Sequence, residues 1–93
     1  MLTLYTKNHC AFCVQAKGLL KNNNIPFTEV NIETDADALK FLQAEGHKTM
    51  PQIYCDGALF VAGGFQGLRD MGVDAIRAQL GITSINVNEL GDL

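Results

Sequence analysis

The chain has 93 residues with 47% hydrophobic and 18% charged side chains, the composition of one small globular domain and not of a disordered tract. Its net charge is −3, with acids and bases interspersed and no basic stripe, which argues against a nucleic-acid partner. No apolar run approaches the roughly 18 residues of a membrane span, so no membrane-spanning helix is expected.

Residues 2–6, LTLYT, alternate apolar and polar side chains and predict a short strand. A helical pattern follows from about Ala11 to Asn23, with Cys13, Ala16 and Leu20 on one face. Asn22, Asn23 and Asn24 favour the turn geometry that ends a helix, and Pro26 blocks continuation. Residues 27–32, FTEVNI, alternate again, with Thr28, Val30 and Ile32 on one face. TDAD at 34–37 resembles a capping box in which the Thr34 hydroxyl accepts from a free backbone N–H. The helix it starts runs to about Glu45, with Gly46 as its C-cap. QIYCDGALFV reads as a hairpin around Asp56-Gly57, a favoured two-residue turn. Gly63-Gly64 breaks the pattern, and a last helix spans about 65–80, loosened at Gly72 and closed by Gly81. Its apolar stripe is Leu68, Met71, Ile76 and Leu80. The tail 82–93 has weak periodicity and is expected to fray.

The order β-α-β-α-β-β-α predicts an α/β domain over residues 1–81. A βαβ crossover makes the first two strands parallel, and the tight turn makes the last two antiparallel. The result is a four-stranded mixed sheet with helices on both faces.

Cys10 and Cys13, in KNHCAFCVQAK, raise three chemistries. A structural zinc site needs four ligands, and His9, His47 and Cys55 are scattered, with no second paired motif. Three cysteines are too few, and odd in number, for a secreted disulfide scaffold. The opening MLTLYTKNHC lacks the apolar run of a signal peptide, so a cytosolic protein is expected, where thiols stay mostly reduced. The third reading is redox chemistry, and the placement fits it. Cys10 falls at the N-terminus of the first helix, where free N–H groups and the dipole favour a thiolate. Lys7 adds positive charge from the same loop. Such settings lower a thiol pKa from about 8.5 towards roughly 3.5–7.5. Cys13, one turn later, is placed to resolve a mixed disulfide on Cys10.

Two further stretches carry a functional pattern. In TMPQI, residues 49–53, Pro51 directly precedes a strand although it has no N–H for a sheet. A cis Met50-Pro51 bond would turn the Met50 backbone towards a substrate; an ordinary trans proline at a strand start is the alternative. In AGGFQG, residues 62–67, the glycines would let a carboxylate approach exposed helix N–H groups; a plain tight turn is the alternative. Cys55 is expected to be a buried small hydrophobe, with regulatory oxidation as the alternative. His9 is expected to be a solvated loop residue, with support of the thiolate as the alternative. His47 is expected to be surface decoration, with contact to an anionic ligand as the alternative.

LYTKNHCAFC, TMPQIYCDG and VAGGFQGL follow in the order and spacing of a glutaredoxin, in the thioredoxin superfamily, a resemblance that covers about residues 1–80. It implies a monomeric oxidoreductase that reduces protein disulfides and glutathione mixed disulfides with glutathione as reducing co-substrate. Cys10 would carry the glutathionyl group and Cys13 would resolve it. Lys7 and Phe12 would flank the glutathione. Thr49, Met50 and Pro51 would pair with its cysteine moiety, and Gly63, Gly64, Phe65 and Gln66 would hold its γ-glutamyl end. A ribonucleotide reductase would be one acceptor suited to such a protein. The chain departs from the family in three places. Ala11 and Phe12 replace the usual Pro-Tyr, Met50 replaces the usual Val, and Gln66-Gly67 stand where many members carry an acid. Two rival readings follow: reduction by a thioredoxin reductase, and a glutathione-ligated [2Fe–2S] cluster between two subunits, as in some members that lack the motif proline.

Overall fold

A computed structural model of the chain describes residues 1–81; the 82–93 tail and the expectation that it frays lie outside them. The elements run β1 (Leu2–Thr6), α1 (Ala11–Asn22), β2 (Phe27–Asn31), α2 (Ala36–Ala44), β3 (Gln52–Cys55), β4 (Ala58–Val61), α3 (Gly64–Met71) and α4 (Val73–Leu80). The strands form one sheet in the order β2-β1-β3-β4. β1 pairs with β2 in parallel and with β3 antiparallel, and β3 pairs with β4 antiparallel. The mixed sheet and the crossover are those expected from the alternation of elements.

Strand periodicity sorts the side chains of β1 cleanly. Leu2, Leu4 and Thr6 are buried on one face, and Thr3 and Tyr5 lie on the other. The first face packs with Ile53 of β3 against Ala16 and Leu20 of α1, Leu68 of α3 and Ile76 of α4. The second face is covered by α2: Phe41 packs on Tyr5 and Tyr54, with ring centroids 6.0 and 5.2 Å apart. Asp56 and Gly57 both have positive φ at the β3–β4 turn, the geometry that a two-residue hairpin loop requires.

Two expectations are corrected. The single helix at 65–80 is two helices, because Gly72 adopts φ 86° and ψ 149° and donates its N–H to Leu68 as it ends α3. Leu68 and Ile76 still enter the same core, so the break does not cost the apolar stripe its burial. The N-cap of α2 is Asp35, not Thr34: its carboxylate accepts from the Ala38 N–H at 3.0 Å. Thr34 instead donates its hydroxyl to the Asn31 carbonyl, closing the preceding turn. A carboxylate at this position also meets the positive end of the helix, which a hydroxyl does not.

Candidate active site

β1 ends at Thr6 and the chain turns through Lys7, Asn8 and His9 before α1 begins. A ring of hydrogen bonds sets this turn. The Glu33 carboxylate accepts from the Asn8 backbone N–H at 2.7 Å, Asn31 donates to the Asn8 side chain at 2.9 Å, and Glu33 N–H returns to Asn31 at 2.8 Å. His9 then adopts φ 54°, which swings Cys10 into the N-cap of α1. As a cap, Cys10 accepts from the Cys13 N–H through its sulfur at 3.2 Å. The two cysteines form a disulfide with Cα atoms 5.2 Å apart. They are not equivalent: Cys13 is 2% exposed beneath the helix start, while Cys10 is half-exposed.

Across from Cys10 lies the segment between α2 and β3. The Met50-Pro51 bond is cis, as the strand-start proline suggested, and the Met50 carbonyl oxygen is 3.8 Å from Cys10 Sγ. The turn into α3 closes the same side. Gly64, at φ 59°, lies so close to the Pro51 carbonyl that a Cβ there would come within 3.1 Å of it, and only glycine adopts this conformation at such range without strain. Gly67 is needed for a different reason: a Cβ on it would overlap the Ala62 carbonyl oxygen. Gly67 therefore has no room for a side chain, so of the two positions Gln66-Gly67 only Gln66 can present one.

These elements enclose a cleft of about 440 Å³ lined by Lys7, Cys10, Phe12, Thr49, Met50, Pro51, Gly63, Gly64, Phe65 and Gln66, with Ala11 and Lys48. Every residue singled out from the sequence as a site residue lines it except Cys13, which opens instead onto a groove on the other side of α1 with Thr6, Lys17 and Glu29. Phe12, 48% exposed, stacks on Phe65 with centroids 6.2 Å apart, and the Arg69 guanidinium lies 5.8 Å from the Phe65 ring. Lys48 was not singled out from the sequence; its one signal was a cation adjoining the Thr49-Met50-Pro51 run. It gives the cleft a second ammonium beside Lys7.

The other candidates separate from the cleft. Cys55 is half-buried rather than buried, and pairs with Leu2 at the end of the sheet away from Cys10. His47 is not surface decoration, for its Nε2 lies 2.7 Å from the Tyr54 hydroxyl. Among the described residues no three His, Cys, Asp or Glu side chains converge to hold a metal ion. No helix among them is long and apolar enough to cross a membrane. Below Cys13, Glu29 accepts from the Thr6 hydroxyl at 2.8 Å and pairs with Lys17 at 3.2 Å. Burial pushes its carboxyl up, but the Thr6 hydroxyl and the Lys17 and Lys21 ammonium groups outweigh that and hold it below the ordinary carboxylate value.

Comparison with known proteins agrees with this architecture. The Glutaredoxin family model matches residues 2–60. Glutaredoxin 1 of Rickettsia felis is 33% identical over 73 residues, covering 75% of this chain and 70% of its own. The structure of glutaredoxin 1 from Francisella tularensis, complexed with cacodylate, superposes with a TM-score of 0.65 at 31% identity, over 82% of this chain and 95% of that one. The glutaredoxin-like protein NrdH-redoxin from Escherichia coli, described as having a thioredoxin-like activity profile, superposes with a TM-score of 0.61 at 26% identity, over 69% and 82% of the two chains. With a family model across most of its fold and a paired-cysteine motif at the helix start, the chain belongs to the glutaredoxin family and is a thiol oxidoreductase of that family.

Proposed function

We propose that the protein is a glutathione-dependent thiol–disulfide oxidoreductase in which Cys10 is the nucleophile and Cys13 the resolving thiol. The observation that carries this reading is the cleft beside Cys10, which brings the Met50 backbone carbonyl, two ammonium groups and the start of α3 into one pocket.

The chemistry runs as two balanced exchanges. The Cys10 thiolate attacks one sulfur of a substrate disulfide, forming a mixed disulfide and expelling the other sulfur as a thiolate. Cys13 then attacks Cys10 Sγ, closes the Cys10–Cys13 disulfide and releases the second substrate thiolate, so the substrate has gained two electrons. One glutathione thiolate attacks Cys10 and expels Cys13. A second glutathione attacks the sulfur of the bound glutathionyl group, leaving as glutathione disulfide and restoring Cys10. The difference in exposure supports this division of labour, since an incoming disulfide reaches Cys10 and not the buried Cys13. The Cys13 N–H aimed at Cys10 Sγ stabilises the attacking thiolate.

For glutathione, the backbone of Met50 pairs with the cysteinyl residue. Lys7 receives the glycyl carboxylate, and the turn at Gly63, Gly64 and Phe65 receives the γ-glutamyl carboxylate on backbone N–H groups. Thr49 and Pro51 shape the edge, and Phe12 walls it. Gln66 meets the γ-glutamyl ammonium as a neutral acceptor. We place this reaction in the cytosol on a monomer, with protein disulfides, a ribonucleotide reductase among them, as acceptors.

A second reading has a specific observation behind it. The likeness to NrdH-redoxin, together with the absence of an acid at Gln66 and Gly67, favours a thioredoxin reductase as the electron source. One experiment separates them: turnover of a disulfide substrate with glutathione and glutathione reductase against turnover with thioredoxin reductase alone. Faster turnover with glutathione is the expected result; turnover with thioredoxin reductase only would replace the first reading by the second.

A further inference from the structure

β3 places two side chains with polar atoms deep in the fold: Gln52 is 6% exposed and Tyr54 2% exposed. Ile53 between them enters the core on the opposite face, so both point to the side covered by α2. A buried amide and a buried hydroxyl are costly unless hydrogen-bonded. Both are satisfied by the same short segment. Gln52 Nε2 donates to the Thr49 carbonyl at 2.9 Å, with the Thr49 hydroxyl at 3.5 Å. The Tyr54 hydroxyl meets His47 Nε2 at 2.7 Å, with the Glu45 carboxylate at 3.4 Å. The His47 N–H donates in turn to the Leu42 carbonyl at 3.0 Å, tying the segment back to α2. The anchors fall at His47 and Thr49, on either side of Lys48 and directly before Met50, and Lys48, Thr49 and Met50 all line the cleft beside Cys10. An apolar pair would fill the face equally well but would leave the segment without side-chain anchors.

We propose that Gln52 and Tyr54 are positioning residues for the cleft: Gln52 directly, and Tyr54 through His47, hold the 47–50 segment in the shape that receives the substrate. The effect on affinity rests on the reading above in which this segment is the substrate-binding edge; the effect on segment order does not.

Two variants separate these. Tyr54→Phe keeps the ring and its packing on Phe41 and Tyr5 and removes only the hydroxyl. Gln52→Met keeps length and burial and removes only the amide. In each, backbone order parameters of Lys48, Thr49 and Met50 are expected to fall from about 0.85 towards 0.6, with Leu4 and Ile53 unchanged. KM for a glutathionylated peptide is expected to rise about fivefold, the scale of one neutral hydrogen bond, with kcat at saturation within about twofold. A purely structural role would lower the melting temperature and leave KM unmoved. Order parameters unchanged in both variants overturn the proposal whatever KM does. A loosened segment with an unchanged KM, in a wild type that turns over with glutathione, also overturns it. If the wild type is inert with glutathione, the glutathione reading falls instead, and KM for a disulfide substrate under thioredoxin reductase becomes the deciding measurement.

Discussion

The two walls of the cleft are built by different means. The Cys10 wall is one continuous stretch, residues 7–12: a short turn after β1 and the start of α1. The facing wall is assembled from two separate turns, 48–51 and 63–66, which meet only because β3 and β4 pair and α3 folds back against Pro51. The first wall supplies reactive sulfur and is continuous in the chain, with its turn pinned by Asn31 and Glu33. The second supplies a surface for the substrate, and its shape depends on contacts across the molecule. Chemistry and recognition in this protein therefore fail in different ways when residues are changed.

The sharpest test removes sulfur from the first wall. Cys10→Ser should reduce thiol transfer to the uncatalysed background on every substrate. Cys13→Ser should retain turnover of small glutathione mixed disulfides, because a second glutathione can resolve the intermediate, and should lose most activity on protein disulfides. Equal losses on both substrate classes would show that the two sulfurs are not divided as proposed.

The next largest effect falls on the second wall. Gly67→Ala drives a methyl group into the Ala62 carbonyl. Overpacking of this kind typically costs about 1–3 kcal/mol, to be read as a lower denaturant midpoint at an unchanged slope. The same substitution at Gly18, where a Cβ meets nothing within 4 Å, is the control. A Gly67→Ala protein as stable as wild type would mean that the α3 turn relaxes freely.

Charge at the cleft rim should act more gently. Lys7→Ala is expected to raise KM for glutathione and Gln66→Asp to lower it. A charged hydrogen bond contributes about 1.5–3 kcal/mol against roughly 0.5–1.5 for a neutral one, so the Gln66→Asp gain is of order fivefold. It should shrink with added salt, because Gln66 is exposed. A Gln66→Asp protein that binds glutathione more weakly, beside an unaffected Lys7→Ala, would point to thioredoxin reductase as the reductant.

The smallest expected effect lies under Cys13. Glu29 has its carboxyl held below the ordinary value in the folded chain. A depressed folded value means that the carboxylate stabilises the fold at pH above its unfolded pKa, near 4.5, and that this contribution is lost as pH falls through the lower folded one. Melting temperature measured across the acid range should decline less steeply in Glu29→Gln than in wild type. Identical slopes would assign the acid sensitivity to other carboxylates.

Much of this molecule was legible in the chain itself, and the reason is locality. Strand alternation in LTLYT, the spacing of Cys10 and Cys13 by one helical turn, and the Asp56-Gly57 hairpin each depend on a few neighbouring residues, so periodicity and turn chemistry determine them. The family pattern then named residues that prove to share one cleft. What the chain did not disclose was settled by packing. Thr34 and Asp35 are both competent caps, and only the turn at Asn31, which claims the Thr34 hydroxyl, leaves the cap to Asp35. Gly72 could loosen a helix or break it, and in the folded chain its φ of 86° and ψ of 149° break it. His47 reads as a surface residue until β3 brings Tyr54 beneath it. Gly67 reads as an ordinary helix position until the Ala62 carbonyl is found where its side chain would stand. Local hydrogen-bonding geometry decides the elements and the spacing of the sulfurs; contacts between distant residues decide which of several allowed local arrangements the chain adopts, the bonds from Asn31 and Glu33 that pin the turn before Cys10 among them.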